Sequence, residues 1–388
     1  MSNKRTPLHP IHESLGARII DFGGWDMPVQ YEGIVAESKA TRTQVGLFDI
    51  GHMNRIEFLG ADRVAAVDWC LSCNVANLTE GRVKYGLLLT ERGTALDDVL
   101  VYFDSDRIHV VVNAGNRDQD LSLFRERIAA KGFDCTVIDA GDGNDPNIGE
   151  SLLGVEQTII ALQGPNSETL LQRVVDTDTD LAELGYYRNC RSVVSGLPCL
   201  LSRTGYTGED GFEIFFDARE AERIWNLLMS EGEDLGATPV GLGARDALRT
   251  EAGMPLYGHE LDDQTTPLEA GLKFGVQLKA GDFVGKAPLV EQFENGVGKT
   301  LVGLEVDTKR VPRPDCMLMK GDEQIGVVTS GTFSPTLQKN IAMGFVPPSM
   351  SEVGTTFEMD IRGKRHGCTV VPLPFYKRPK KSVAGVKS

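Results

Sequence analysis

Long apolar runs are missing from this chain. No segment approaches the ~18 apolar residues that a membrane-spanning helix needs, and none follows the opening Met1-Ser2-Asn3-Lys4-Arg5-Thr6-Pro7 that would serve as a secretory signal. Cysteine is sparse: seven residues, an odd number, scattered over the whole length. A disulfide framework is therefore not expected, and a reducing cytoplasm is. Cys70-Leu71-Ser72-Cys73 has no second pair and no thioredoxin-like surroundings, so it reads as two small buried side chains rather than a zinc or redox motif. Positive charge is short as well: 40 Lys and Arg against 55 Asp and Glu leave a net charge of -15. That balance excludes a general nucleic-acid or anionic-membrane surface, which needs clustered cations. The one basic concentration, Tyr376-Lys377-Arg378-Pro379-Lys380-Lys381, reads as a solvated tail whose start reaches toward an anionic ligand. No G-x-G-x-x-G follows an N-terminal strand, which disfavours a flavin-linked oxidase. His9, His12 and Glu13 lack a third ligand at a zinc spacing. The turn Asp142-Gly143-Asn144-Asp145-Pro146-Asn147 puts Pro146 where a calcium ligand would be required. No metal is expected.

What is present is ordinary globular material. The 388 residues, 41% hydrophobic and 24% charged, suffice for two or three domains with a sizeable core. The 43 glycines imply many turns and close backbone approaches. Helices are expected over 33–45, 61–76, 117–131, 219–231 and 242–253. In the last, Arg245, Asp246, Arg249 and Glu251 are spaced for pairing along the helix surface. Residues 46–53 read as a short strand running into a polar corner, with His52 a hydrogen-bonded structural histidine and Met53 a gap-filler. Residues 82–113 alternate like a β-meander. A strand over 156–162 leads through Gly164-Pro165 into a helix to about 176. Cys199 to Phe216 reads as strand, glycine-rich loop, strand; its glycines serve either a hairpin or a ligand brought close to the backbone. Gly281, Gly285, Gly296 and Gly298 mark a composition change. After it, short strands at 301–306, 316–319, 324–328, 341–345, 356–361 and 367–371 suggest a small barrel or sandwich.

One stretch concentrates the chemistry. Thr94-Ala95-Leu96-Asp97-Asp98-Val99-Leu100-Val101-Tyr102-Phe103 places two adjacent carboxylates on an apolar strand fed by a turn at Gly93. Side chains alternate across a strand, so Asp97 and Asp98 face opposite ways. Either one caps a turn and the other is solvated, or one is an acid/base group in a cavity, since a buried carboxylate is costly unless it is bonded or used.

The motifs taken in order resemble the glycine cleavage T-protein family of folate-dependent aminomethyltransferases. They are Ile19-Ile20-Asp21-Phe22-Gly23-Gly24-Trp25-Asp26-Met27-Pro28-Val29-Gln30-Tyr31, Gly46-Leu47-Phe48-Asp49, Leu96-Asp97-Asp98, Asn113-Ala114-Gly115-Asn116, Gly205-Tyr206-Thr207-Gly208-Glu209-Asp210-Gly211-Phe212-Glu213, Ala244-Arg245-Asp246, Thr265-Thr266-Pro267-Leu268-Glu269 and Thr329-Ser330-Gly331-Thr332-Phe333-Ser334-Pro335-Thr336-Leu337. The resemblance runs from about residue 6 to 378; Gly51 stands where the family more often has Ser. It implies an α+β protein of three lobes. Two α/β lobes, one ferredoxin-like, would interleave within residues 1–280 around a folate pocket, and a β-barrel would occupy residues 281–388. By resemblance Asp97 is the catalytic carboxylate. Met53, Tyr85, Val112, Asn113, Tyr206, Glu213 and Arg245 would contact tetrahydrofolate, the co-substrate, with Tyr376 and Arg378 near its glutamyl tail. The implied partner is the lipoylated arm of a carrier, the H-protein; a monomer is expected. The implied reaction moves the carrier's aminomethyl carbon to tetrahydrofolate and frees ammonia. The alternatives are a folate-dependent demethylase on the same scaffold, acting on a sulfonium or methoxy compound, or a non-catalytic folate-binding accessory protein. The Lys-Gly-Cys-Tyr-x-Gly-Gln-Glu segment typical of the accessory branch is absent.

Overall fold

The computed structural model describes residues 2–176, 180–279 and 281–379. Two sheets face each other, and a closed barrel packs beside them. The first sheet has five antiparallel strands in the order Arg82–Leu89, Ala95–Phe103, Ile108–Val112, Asn54–Leu59, Thr136–Asp139. Helices Arg63–Cys70 and Arg117–Lys131 cover its outer face through Ala66, Val67, Phe124 and Ile128. The turn between its first two strands depends on Gly93, at φ +80°, a conformation that side chains other than glycine rarely adopt.

The second sheet has six strands: Asn189–Val194, Leu197–Ser202, Gly211–Asp217, Gln157–Gln163, Val45–Asp49 and Ala237–Pro239. Only the last pair is parallel. Helices Ser167–Val174 and Ala221–Glu231 cover its outer face with Leu170, Leu171, Ile224 and Trp225. The inner faces of the two sheets meet through Phe48, Val83, Tyr102, Val111, Ile159, Leu200 and Phe215, joined by Ala244 and Leu248 of helix Leu242–Glu251. The lobes interleave because the chain leaves the six-stranded sheet after Asp49, builds the other sheet, and returns at Gln157. This is the three-lobed α+β arrangement the resemblance implies.

The barrel closes antiparallel strands Thr300–Val306, Lys339–Val346, Glu323–Ser334, Met317–Lys320, Thr356–Ile361 and Lys364–Val371 into a ring. Its inward residues, among them Leu304, Leu318, Met359 and Val370, fill it. Just before the barrel, helix Lys286–Asn295 inserts Leu289 among Leu87, Leu89 and Ala95 of the meander. Among the described residues no helix is long and apolar enough to cross a membrane.

Two expected helices differ in detail. The helix expected over 61–76 stops at Cys70, because the Asp68 carboxylate takes the backbone N–H groups of Val75 and Ala76 and bends the chain back. Cys70 and Cys73 are buried, and burial pushes both thiols up to about 12. In helix Leu242–Glu251, Arg249 makes the expected pair with Asp246, but Arg249 and Glu251 themselves are 1% and 0% exposed and reach beyond the helix. Arg249 bridges Glu260 at 2.9 Å and donates to Ser330 of the barrel at 2.7 Å, while also reaching Asp246 at 2.7 Å. Glu251 accepts from Arg42 at 2.6 Å, from Ser334 Oγ at 2.5 Å and from the Thr336 backbone at 3.0 Å.

Candidate active site

Strand parity decides which side chains meet between the sheets. On Ala95–Phe103, Asp97, Val99 and Val101 are turned to the helices, while Asp98, Leu100 and Tyr102 are turned to the opposite sheet. On Ile108–Val112 the alternate residue Val111 faces inward, and Asn113 follows on the same side. On Gly211–Asp217, Phe212, Ile214 and Phe216 pack under the helices, leaving Glu213 and Phe215 inward. These inner faces enclose a cavity of about 340 Å³. His52 and Met53 line one side, Tyr206, Arg245 and Met254 another. Tyr85 stands near the mouth, its ring 5.4 Å from that of Phe274, which is 69% exposed.

Asp98 is one of two carboxylates that face the cavity. Tyr85 Oη donates to its Oδ2 at 3.1 Å, and Asn113 Nδ2 to its Oδ1 at 3.0 Å. Burial, reinforced by the negative charge of Asp97, pushes Asp98 up to about 7. Across the cavity, Glu213 Oε2 accepts from Thr204 Oγ1 and from Tyr102 Oη at 3.2 Å, while its Oε1 has no donor among the described residues. Burial raises Glu213 above the usual carboxylate value. The Arg245 guanidinium lies 4.8 Å from the Tyr206 ring centroid. Among the described residues no carboxylate comes within ion-pair distance of it. The residue is half-buried, and a cation partly withdrawn from water without a partner is costly, so a ligand oxygen is its natural complement.

Several expected contacts are placed elsewhere. Asp97 does not reach the cavity. It is 0% exposed on the helix side of the sheet, where its carboxylate accepts from Asn113 N, Asn113 Nδ2 and Asn116 Nδ2 at 2.9, 2.8 and 2.8 Å. The adjacent Asp98 stands where Asp97 was expected, because one residue along a strand reverses the face. The same reversal turns Val112 into the helix-side core and leaves Val111 in the cavity wall. Tyr376 and Arg378 do not line the cavity. Tyr376 Oη donates to Glu209 at 2.7 Å beneath the Arg42 guanidinium, 4.1 Å from the ring, and Arg378 pairs with Asp210 at 3.1 Å. Lys380 and Lys381 lie outside the described residues. Met53, Tyr85, Asn113, Tyr206, Glu213 and Arg245 do share the one cavity.

His52 was not expected there. It is 2% exposed, its ring lies edge-on to Phe22 at 5.8 Å, and its Nδ1 has no hydrogen-bond partner among the described residues. Burial, reinforced by Arg245 and Arg55, pushes it down to about 4, so it is neutral at physiological pH. The turn Asp49-Ile50-Gly51, pinned by Gly51 N donating to Asp49 Oδ1 at 2.8 Å, aims it inward. His12, by contrast, is occupied by Asp49 and Tyr31, both at 2.8 Å.

The glycine-rich loop is shaped by close approach. Gln163 Nε2 donates to Thr204 O at 3.0 Å, and Thr207 Oγ1 donates to Gln163 Oε1 at 2.9 Å. A Cβ at Gly205 or Gly211 would overlap the Gln163 side chain, and at Gly211 also the Leu162 carbonyl oxygen. The loop thereby holds Tyr206 over the cavity, with its hydroxyl donating to Pro255 O.

Comparison with known proteins bears on this site. Residues 8–280 match the family model described as the GCVT N-terminal domain, and residues 299–377 match the glycine cleavage T-protein C-terminal barrel domain. An aminomethyltransferase of Desulfitobacterium hafniense is 43% identical over 376 residues, covering 97% of this chain and 98% of its own. One of Symbiobacterium thermophilum is 45% identical over 385 residues, covering 97% and 98%. The crystal structure of the glycine cleavage system aminomethyltransferase T from Bartonella henselae superposes with a TM-score of 0.87 at 34% identity, covering 97% of this chain and 99% of that one.

Proposed function

The chain belongs to the glycine cleavage T-protein family of aminomethyltransferases, and from that premise we propose that its cavity binds tetrahydrofolate and receives the aminomethyl group from the dihydrolipoyl arm of an H-protein. The observation that carries this reading is the pairing of two carboxylates, a half-buried Asp98 and a buried Glu213, on facing walls of one cavity with an Arg245 that has no anionic partner among the described residues. The residues fit a reduced folate. A pterin edge offers an N–H and an NH₂ as parallel donors, and Glu213 has a free oxygen with which to accept them. Tyr206 offers a ring face. Arg245 suits carbonyl or carboxylate oxygens.

When bound, the folate supplies the two amine nitrogens across which the carbon is bridged. In balance, the carrier's C–S and C–N bonds break and two C–N bonds to the folate form. The two amine protons leave with the thiol and with ammonia. Asp98, ionised and held by Tyr85 and Asn113, orients the folate amine, accepts its proton and stabilises the positive charge that develops at the transferred carbon. The apolar lining, Met53, Leu100, Ile159 and Phe274, keeps bulk water from the electrophilic carbon, which it would otherwise hydrolyse.

Calorimetry and turnover test the assignment separately. With lipoylated carrier, Asp98→Asn is expected to bind tetrahydrofolate near normally and to lose about 10²–10⁴-fold in release of ammonia and methylene-folate. Glu213→Gln is expected to weaken folate binding by about 10–100-fold, the loss of a charge-assisted hydrogen bond. Absence of reduced-folate binding by the native chain ends this reading; near-normal turnover of Asp98→Asn removes Asp98 from the chemistry.

A further inference from the structure

Behind the cavity wall lies a second pair of acids that this mechanism leaves unused. Asp97, on strand Ala95–Phe103, and Asp120, near the start of helix Arg117–Lys131, are each 0% exposed. Their situations are opposite. Asp97 accepts three donors, Asn113 N, Asn113 Nδ2 and Asn116 Nδ2, and has room for one more. Among the described residues Asp120 receives no N–H or O–H donor at either oxygen, and it stands in hydrogen-bonding contact with the Asp97 carboxylate. Among the described residues neither is ion-paired. The other charged or titratable groups facing the pair are Asp98 on the same strand, Arg127 on the helix and Tyr257 from the segment beyond. The apolar neighbours are Val99, Val101 and Phe124.

Two carboxylates in contact in such surroundings cannot both be ionised. A carboxylate without donors, in contact with one that already accepts three and can accept a fourth, leaves one consistent arrangement: the former carries a hydrogen and donates it. We propose that Asp97 and Asp120 share a single proton, carried on Asp120 and donated to Asp97, and that this pair positions the catalytic Asp98 through Asn113. Burial and the Asp97 charge both push Asp120 far above the usual carboxylate value, in agreement with the geometry.

The link to Asp98 runs through one amide. Asn113 Nδ2 donates to Asp97 Oδ1 at 2.8 Å and to Asp98 Oδ1 at 3.0 Å. An anionic Asp97, kept in place by the Asp120 hydroxyl and by the positive end of the helix dipole, fixes which way that amide points. It therefore fixes the donor that Asp98 sees. The pair's single negative charge also disfavours the charge on Asp98, keeping it a stronger base than an isolated aspartate. The arrangement is expensive. Retaining at pH 7 a proton that an unfolded aspartate of pKa about 3.9 would release costs the folding equilibrium a factor of roughly 10³. A purely structural position would be filled more stably by asparagine.

That last statement supplies the test. In the native protein at a pH of about 9, where Asp98 is ionised and the shared proton is retained, infrared spectroscopy should show the carbonyl stretch of a protonated buried carboxyl. Asp120→Asn, which still donates to Asp97, should remove that band and leave the acid limb of the pH profile where it was. Its melting temperature should gain on the native protein progressively as pH rises from 5 to 8, because only the native fold holds the extra proton. Asp97→Asn should instead move the acid limb to lower pH by about one unit, since the charge beside Asp98 is gone. A band unaffected by Asp120→Asn, or a melting-temperature difference constant with pH, overturns the shared proton. An acid limb unmoved in folded Asp97→Asn overturns the link to Asp98. If Asp97→Asn does not fold, the two Asp120→Asn measurements still decide. The effect on Asp98 rests on the folate reading, whereas the infrared and melting measurements need no ligand, so either can fail without the other.

Discussion

In the mechanism proposed above, Asp98 is the residue through which pH acts and its base form is the working form; burial with the neighbouring Asp97 charge pushes it up to about 7. At pH 6 only about a tenth of the molecules then carry it ionised. kcat/KM for the carrier is expected to rise from pH 6 to 8 and level off above, with the limb absent in Asp98→Asn; a flat profile over that range contradicts the assignment. The Asp-Asp pair was visible in the sequence, and so was the fact that its members face opposite ways. Which of them faces the cavity was not. Asp97 shares its face with Val99 and Val101, Asp98 with Leu100 and Tyr102, and both faces are apolar because both are covered. Hydropathy carries no sign of which cover is a helix and which is the other sheet. His52 escaped for a similar reason: nothing in Gly51-His52-Met53 shows that a buried ring nitrogen will lack a partner.

At the scale of elements, much of the pattern is legible, but the hairpin Arg18–Phe22 with Trp25–Gln30, the strands Asn54–Leu59 and Thr136–Asp139 and the helix Lys286–Asn295 are not read from it. The meander over 82–113, the helix 117–131 and the six terminal strands follow from alternation and turn residues. The helix 242–253 is legible, and its Asp246–Arg249 pair forms as expected, but Arg249 and Glu251 are buried rather than at the surface. Its charges read as surface pairs because their partners, Arg42, Glu260 and Ser330, come from remote parts of the chain. The glycine-rich loop gives a test at this scale. Strand Gly211–Asp217 lies against Gln157–Gln163 so closely at its first residue that Gly211→Ala would press on the Leu162 carbonyl. The expected loss is about 1–3 kcal/mol, measured by denaturant unfolding. Folate affinity should fall with it, since the loop also carries Tyr206. Alanine tolerated at Gly211 would mean that the two strands part more easily than their register implies.

For the whole molecule, the seat of the barrel is electrostatic. Arg42 reaches Glu251 at 2.6 Å and Glu209 at 3.2 Å, and Glu251 in turn takes donors from Ser334 and Thr336 of the barrel. Glu251→Ala leaves a buried guanidinium with part of its partner set and is expected to cost about 3–5 kcal/mol. It should also expose the 296–299 connection to limited proteolysis ahead of global unfolding. If the barrel stays resistant, the apolar contacts alone suffice to seat it. The sequence showed that a separate β-rich unit ends the chain; it did not show that Glu251 fastens it.

The interleaving of the two sheets has a consequence for synthesis. Val45–Asp49 and Gln157–Gln163 are antiparallel neighbours, with Ile160 opposite Asp49. A ribosome therefore delivers one strand of the first wall, then the entire opposite wall, and only afterwards the rest of the first. Ala237–Pro239 and the helix bearing Arg245 emerge later still. No nascent fragment short of that helix possesses the hollow, so a translation product arrested earlier holds its core residues without any place for a substrate.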